Sequence, residues 1–189
     1  MPEIHVIGGP NGAGKTTSAR GMLPSFLGVS QFVNADEIAR GLSGFAPETV
    51  AQEAGRIMLH RLRVLAAQRA DFAFETTLAS RSFVPWLAEQ QEAGYRVHII
   101  YFWLPTPEMA VELVARRVGR GGHHVPEETV LRRYQRGREN FLRLFAPMAD
   151  EWEVYDNSSF EPCLIACGGR GIATMVLRDH EWQRINELK

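Results

Sequence analysis

The chain has 189 residues, a formal net charge of −1 and 45% apolar residues. That length fits one compact domain, expected over residues 1–189, with a core of ordinary size. A near-neutral charge gives no global field for nucleic acid or an acidic membrane surface, Cys163 and Cys167 make neither a disulfide framework nor a metal quartet, and no signal segment or membrane-length apolar run is present, so a cytoplasmic protein with no nucleic-acid or membrane partner is the default expectation.

Ile4 to Ile7 is short, apolar and β-branched, the pattern of a buried strand. It runs into Gly9-Pro10-Asn11-Gly12-Ala13-Gly14-Lys15-Thr16-Thr17, which fits the phosphate-binding pattern G-x-x-x-x-G-K-[ST]. Glycines let successive N–H groups turn inward on an anion. Lys15 reaches β- and γ-phosphates, and Thr16 offers a hydroxyl to Mg²⁺. A helix over residues 17–23, expected to stop near Pro24, aims its positive end at the same phosphates. Strand, glycine loop and helix together make residues 9–17 an ATP site.

Gln31 to Val33 reads as a second strand ending at Asn34-Ala35-Asp36. Asp36 then sits at the carboxyl end of a parallel strand, where ligands bind in open α/β sheets. It is either a base for an attacking hydroxyl or a helix N-cap, and the two roles can coexist. Pro47 opens a long helix to about Ala67, with a buried stripe of Val50, Ala54, Ile57, Met58, Leu62 and Leu65. Its Arg56, His60, Arg61 and Arg63, with Arg69 just beyond, read as a solvated face.

Phe72 to Phe74 is a third strand with Glu75 at its end. If it neighbours the first strand, Glu75, Thr76 and Thr77 open beside the phosphate loop. Glu75 can hold Mg²⁺ through water or bind a substrate hydroxyl, and the threonines can bond substrate. Arg81 and Ser82 lead into a helix over 83–93 closed by Gly94. Arg96 to Trp103 is the fourth and most apolar strand. It has no acidic residue and so is no Walker B strand. Helix 107–118 follows, with Arg117 near the edge of its apolar face and Arg116 pointing away.

Residues 119–126 form a glycine-rich break before a helix from Pro126 to about Phe145 that carries Arg132, Arg133, Arg136, Arg138 and Arg143. A hinge between two arginine-bearing helices reads as a lid, at about residues 117–136, that neutralises transferring phosphates. Arg116, Arg138 and Arg143 are expected to be solvated. His123-His124 lacks a third ligand at fitting spacing, so no metal site is expected there. Residues 153–158 give a fifth strand and its end. Asp156 to Ser158 form either a plain turn or part of the wall around the nucleotide base. A hairpin around residues 168–171 and a last helix near 179–188 complete the chain. Alternating strands and helices predict an α/β fold, a parallel sheet of about five strands with helices on both faces.

The ordered set of residues 9–17, Asn34-Ala35-Asp36, Phe74-Glu75-Thr76-Thr77-Leu78, Arg117-Val118, Gly121-Gly122-His123, Val125-Pro126 and Arg132-Arg133-Tyr134 resembles the zeta toxin family of P-loop kinases, in its compact stand-alone branch. The resemblance covers residue 3 to about 165. It implies an adenylate-kinase-like P-loop NTPase fold and transfer of the ATP γ-phosphate to a hydroxyl of a UDP-activated N-acetylated sugar, chiefly UDP-N-acetylglucosamine. It makes Asp36 the base, Glu75 and Thr77 substrate contacts, and Arg117 and Arg133 the phosphate-neutralising arginines. Where the family commonly has an arginine after the threonine, this chain has Ala79, with Arg81 nearby. An antitoxin protein is a candidate partner. The alternative from another class is a nucleotide-dependent switch or binding module, for which a base facing an acceptor pocket is not required.

Overall fold

A computed structural model describes residues 1–26, 28–119, 121–122, 124–159 and 161–187, with the backbone alone for 22–26. Arg120 and His123 of the expected hinge lie outside the described residues. The elements are β1 (Glu3–Gly8), α1 (Lys15–Phe26), β2 (Phe32–Val33), α2 (Ala35–Leu42), a 3₁₀ turn (Pro47–Val50), α3 (Ala51–Ala67), β3 (Phe72–Thr76), α4 (Phe83–Glu92), β4 (Arg96–Trp103), α5 (Pro107–Val118), α6 (Glu127–Asn140), a π turn (Phe141–Phe145), α7 (Ala146–Met148), β5 (Glu151–Asp156), β6 (Cys163–Gly169), β7 (Ile172–Val176) and α8 (Asp179–Asn186).

The strands make one sheet in the order β2-β3-β1-β4-β5-β6-β7. The first five are parallel, and the β6–β7 hairpin adds two antiparallel strands. The sheet is thus wider than the five strands expected, because the hairpin pairs with β5 instead of standing apart. β1 lies between β3 and β4, with Gly8 level with Thr76 and Tyr101. The loop after β1 therefore opens at the carboxyl edge between its two neighbours, the crevice where such sheets bind ligands.

Alternate residues feed two cores, as the strand period requires. Val6, Phe74, Ile99, Tyr101 and Trp103 pack with α3, α4 and the π turn on one face. Ile7, Ala73, Ile100 and Phe102 pack with α1, α5 and the start of α6 on the other. α6 contributes Val130 and Tyr134 to one core, and Phe141 just after it belongs to the other. The helix therefore crosses the carboxyl edge of the sheet. The Tyr134 hydroxyl ties it there by donating to the Leu104 carbonyl at 2.7 Å.

Several expectations shift. α1 continues to Phe26, with Pro24 in its last turn, where only one helical bond is lost to the missing N–H. α2 begins at Ala35 and its N-cap is Asn34, so Asp36 is no cap but a first-turn residue. Ile57 is exposed at 39%, leaving Ala54, Met58, Leu62 and Leu65 as the buried stripe of α3. Arg138 is not solvated: it donates to the carbonyls of Arg184 and Glu187 and so holds α8 against α6. Among the described residues, no helix is long and apolar enough to cross a membrane.

Candidate active site

The glycine loop folds as its pattern requires. Gly9 has φ +139°, and a side chain there would begin 2.3 Å from the Phe102 carbonyl oxygen. Gly14 has φ +68°, and its α-carbon faces the Asn157 amide. That amide donates to the Ala13 carbonyl at 2.6 Å. The strand end after β5 thus buttresses the phosphate loop, a contact from residue 157 that neither expectation for Asp156 to Ser158 described.

Lys15 is 5% exposed. Its ammonium donates to the Pro10 carbonyl at 2.8 Å and lies 3.6 Å from Glu75 Oε1. Burial pushes its pKa below the ordinary lysine value. Glu75 and Asp36 oppose that shift, and the Arg117 guanidinium adds to it. The Thr16 hydroxyl donates to Glu75 Oε2 at 2.6 Å. Because β3 neighbours β1, the Glu75 carboxylate reaches both residues of the loop, as the strand adjacency required.

A hydroxyl and a carboxylate together form the hard-oxygen set that Mg²⁺ takes alongside waters and phosphates. Thr16 and Glu75 fit that ion by this convergence. Among the described residues there is no larger metal-ligating cluster.

Two cavities meet at this point. One, of about 930 Å³, runs from the phosphate loop past Arg20 and Arg40 to Arg116 and Arg117. The other, of about 710 Å³, runs between α3 and α6 past Thr76 and Thr77 to Arg56, Arg132, Arg133 and Arg136. Asn11, Lys15, Asn34, Asp36 and Glu75 line both. Burial lowers the pKa of Arg133, and the charge of Asp36, which lines the same cavity, partly restores it.

Most of the expected residues are thus brought together: the loop, Asp36, Glu75, Thr76, Thr77, Arg117 and Arg133. Arg81 is not. It donates to Asn140 Oδ1 at 3.2 Å, and neither cavity is lined by it. Arg56, read as solvated, lines the second cavity. Arg116 is 71% exposed and paired with Glu112, as a solvated arginine should be, yet it borders the first cavity.

Two asparagines matter more than their sequence pattern announced. Asn34 bonds Glu75 and Thr16 as well as capping α2. Asn140 donates to the Leu78 carbonyl at 2.8 Å, holding a turn in which Leu78 has φ +57°. The sequence signals for Asn34 were its place at a strand end before a helix and its part in the Asn34-Ala35-Asp36 motif, neither of which pointed to Glu75; for Asn140 there was none.

A family model described as zeta toxin matches residues 1–161. An uncharacterised protein of Haemophilus influenzae is 30% identical over 128 residues, 67% of this chain and 88% of that one. Among solved structures, the AvrRxo1-ORF1:-ORF2 complex with ATP superposes with a TM-score of 0.77 at 17% identity, over 100% of this chain and 64% of that chain. The PezAT chromosomal toxin–antitoxin system of Streptococcus pneumoniae gives 0.64 at 16% identity, over 99% of this chain and 77% of that one. At these identities the structural likeness is one of fold, and this chain spans only 64% of the AvrRxo1-ORF1 complex chain it matches. With the family match running through the phosphate loop, Asp36, Glu75 and both expected arginines, the chain belongs to the zeta toxin family.

Proposed function

We propose that the protein is an ATP-dependent phosphotransferase that moves the γ-phosphate to a hydroxyl of a small molecule, with a UDP-N-acetylated sugar as the acceptor class. The observation that carries this reading is the position of Asp36 in the wall shared by the two cavities. A donor in the first cavity and an acceptor in the second would meet at Asp36.

In the proposed step the acceptor oxygen attacks the γ-phosphorus and its proton passes to the Asp36 carboxylate. The bond from that phosphorus to the bridging oxygen breaks, and ADP leaves with the electron pair. Lys15, Arg117 and Arg133 neutralise the charge that develops on the transferring group. Thr16, with Glu75 directly or through water, would hold Mg²⁺, which would supply further neutralisation of phosphate charge. Residues 117–136 act as the lid of a single domain. The sugar assignment is supported by Thr76, Thr77, Ser80 and Ser82, hydroxyl-bearing residues that line the second cavity, and by Arg56 and Arg136, which suit a diphosphate. An antitoxin protein is the proposed macromolecular partner, in analogy with the PezAT system.

The test is an acceptor screen with labelled ATP, read by mass spectrometry for a gain of one phosphoryl group. A UDP-N-acetylated sugar that gains it supports the reading. ATP bound tightly with no acceptor phosphorylated would instead support a nucleotide-dependent switch.

A further inference from the structure

Asn34 is 5% exposed and both ends of its amide are engaged. Oδ1 accepts from the backbone N–H groups of Asp36 at 2.8 Å and Glu37 at 3.4 Å. Nδ2 donates to Glu75 Oε2 at 2.8 Å and to Thr16 Oγ1 at 3.3 Å. One side chain therefore joins three elements: the start of α2, which carries Asp36, the end of β3, and the first turn of α1.

Capping alone does not explain the residue. Ser and Asp cap helices about as well as Asn. Serine's single hydroxyl has too short a reach to serve both the α2 amides and Glu75. Aspartate would set a second carboxylate against Glu75 and offers no donor. Asparagine is the cap-forming residue whose other end is an N–H donor. The Thr16 hydroxyl has one proton, which it gives to Glu75 here. If that hydroxyl turns to another partner, the Asn34 amide still holds the carboxylate.

We infer that Asn34 is a positioning residue that fixes the Glu75 carboxylate beside Thr16 and ties that pair to the helix bearing Asp36. The inference rests on the phosphotransferase reading for its purpose, but its geometry stands on these contacts alone. Partners of metal-holding carboxylates typically contribute 10- to 100-fold to metal affinity or activity by orienting them, and roughly that range is expected here.

The experiment compares wild type, Asn34→Ser and Asn34→Ala by calorimetric titration of ATP with and without Mg²⁺, alongside thermal melts. Asn34→Ser keeps a capping oxygen and should melt close to wild type. It should bind Mg²⁺-free ATP normally yet lose about tenfold or more of the affinity gained from Mg²⁺. Asn34→Ala should lose that gain and also melt lower, since it loses the cap. Asn34→Ser that keeps the full Mg²⁺ gain, or that loses Mg²⁺-free binding equally, reduces Asn34 to a helix cap and overturns the inference. Wild type that binds no ATP overturns it too. Wild type with an Asn34-dependent Mg²⁺ gain but no phosphorylated acceptor leaves the inference standing and overturns only the phosphotransferase reading.

Discussion

The Lys15 ammonium and the Glu75 carboxylate face each other at 3.6 Å, both largely withdrawn from water. Glu75 also takes hydrogen bonds from Thr16 and Asn34, so losing Lys15 would leave it two donors. Lys15 has the Pro10 carbonyl besides Glu75. The pair is therefore asymmetric: removing the lysine should cost the fold less than removing the carboxylate, which leaves a buried ammonium with only the weaker pull of Asp36.

From this, Lys15→Ala should stay folded and lose nearly all phosphoryl transfer, since charge neutralisation and positioning supply most of the catalysis in this chemistry. A thermal melt and a labelled-ATP transfer assay on the same preparation check it. Wild-type transfer by the folded variant would remove Lys15 from the mechanism.

Arg117 and Arg133 border different cavities, one on each side of Asp36. Each alanine variant should lower kcat by about 10² or more, a floor below the roughly 10³–10⁵ that a full arginine finger supplies. The affinity for ATP should change less, because the interaction strengthens as charge develops. Steady-state kinetics beside ATP titrations separate the two. A variant that loses ATP binding and keeps kcat assigns that arginine to ground-state binding.

Stability should depend on pH through His5, away from the site. His5 is buried in β1, edge-on to the His98 ring at 5.4 Å, with Nε2 3.3 Å from Glu3. Burial first, then His98, push its pKa below the ordinary 6.5, while Glu3 and Asp71 only partly oppose. The folded chain thus holds this proton less readily than the unfolded chain. The stability that comes from keeping His5 neutral is complete above 6.5 and is lost as pH falls from there towards the lowered value. The slope is at most about 1.4 kcal/mol per pH unit for one group. Between about pH 7.5 and pH 5.5, Tm of the wild type should fall more steeply than that of His5→Leu. Parallel curves would mean that His5 protonates in the fold without cost.

The parts of the molecule legible in the sequence are those governed by local pattern. β4 and α5 have the expected bounds because a largely apolar eight-residue run and a Thr-Pro start leave little choice. The phosphate loop is legible for the same reason, each glycine answering a local backbone need. What stayed hidden depends on which elements meet. Asn140 lies 59 residues from Arg81 and 62 from Leu78, and no periodicity announces such contacts. Gly137 likewise looks like a weak spot in a helix, yet a side chain there would begin 2.3 Å from the Thr77 carbonyl oxygen. Arg56 was read with its neighbours as a solvated face, and it is exposed, but the packing of α6 across the sheet edge also makes its surface a cavity wall.

Asp36 is the residue that separates transfer from mere nucleotide binding, and the fold makes its test cleaner than the sequence did. The cap of α2 is Asn34, so a change at Asp36 does not touch the cap. Asp36 lies in the first turn of α2, where a negative charge is worth about 0.3–1 kcal/mol against the helix dipole. Asp36→Asn loses that charge and keeps the shape, so its Tm should drop only slightly. It should bind ATP nearly as well as wild type, because Lys15 and the loop amides remain in place. Its transfer rate should fall by about 10²–10⁴, the usual contribution of a positioned base, since an amide cannot take the acceptor proton. Arg133 supplies an internal control: it lines the second cavity with Asp36, and without that carboxylate its charge is less compensated. An acceptor carrying phosphate should therefore bind Asp36→Asn at least as tightly as wild type, so KM should not rise while kcat collapses. Measuring Tm, ATP affinity, KM and kcat on this one variant decides the matter. Unchanged kcat would take Asp36 out of the chemistry, whereas a rise in KM with kcat kept would make Asp36 a binding residue for the acceptor hydroxyl.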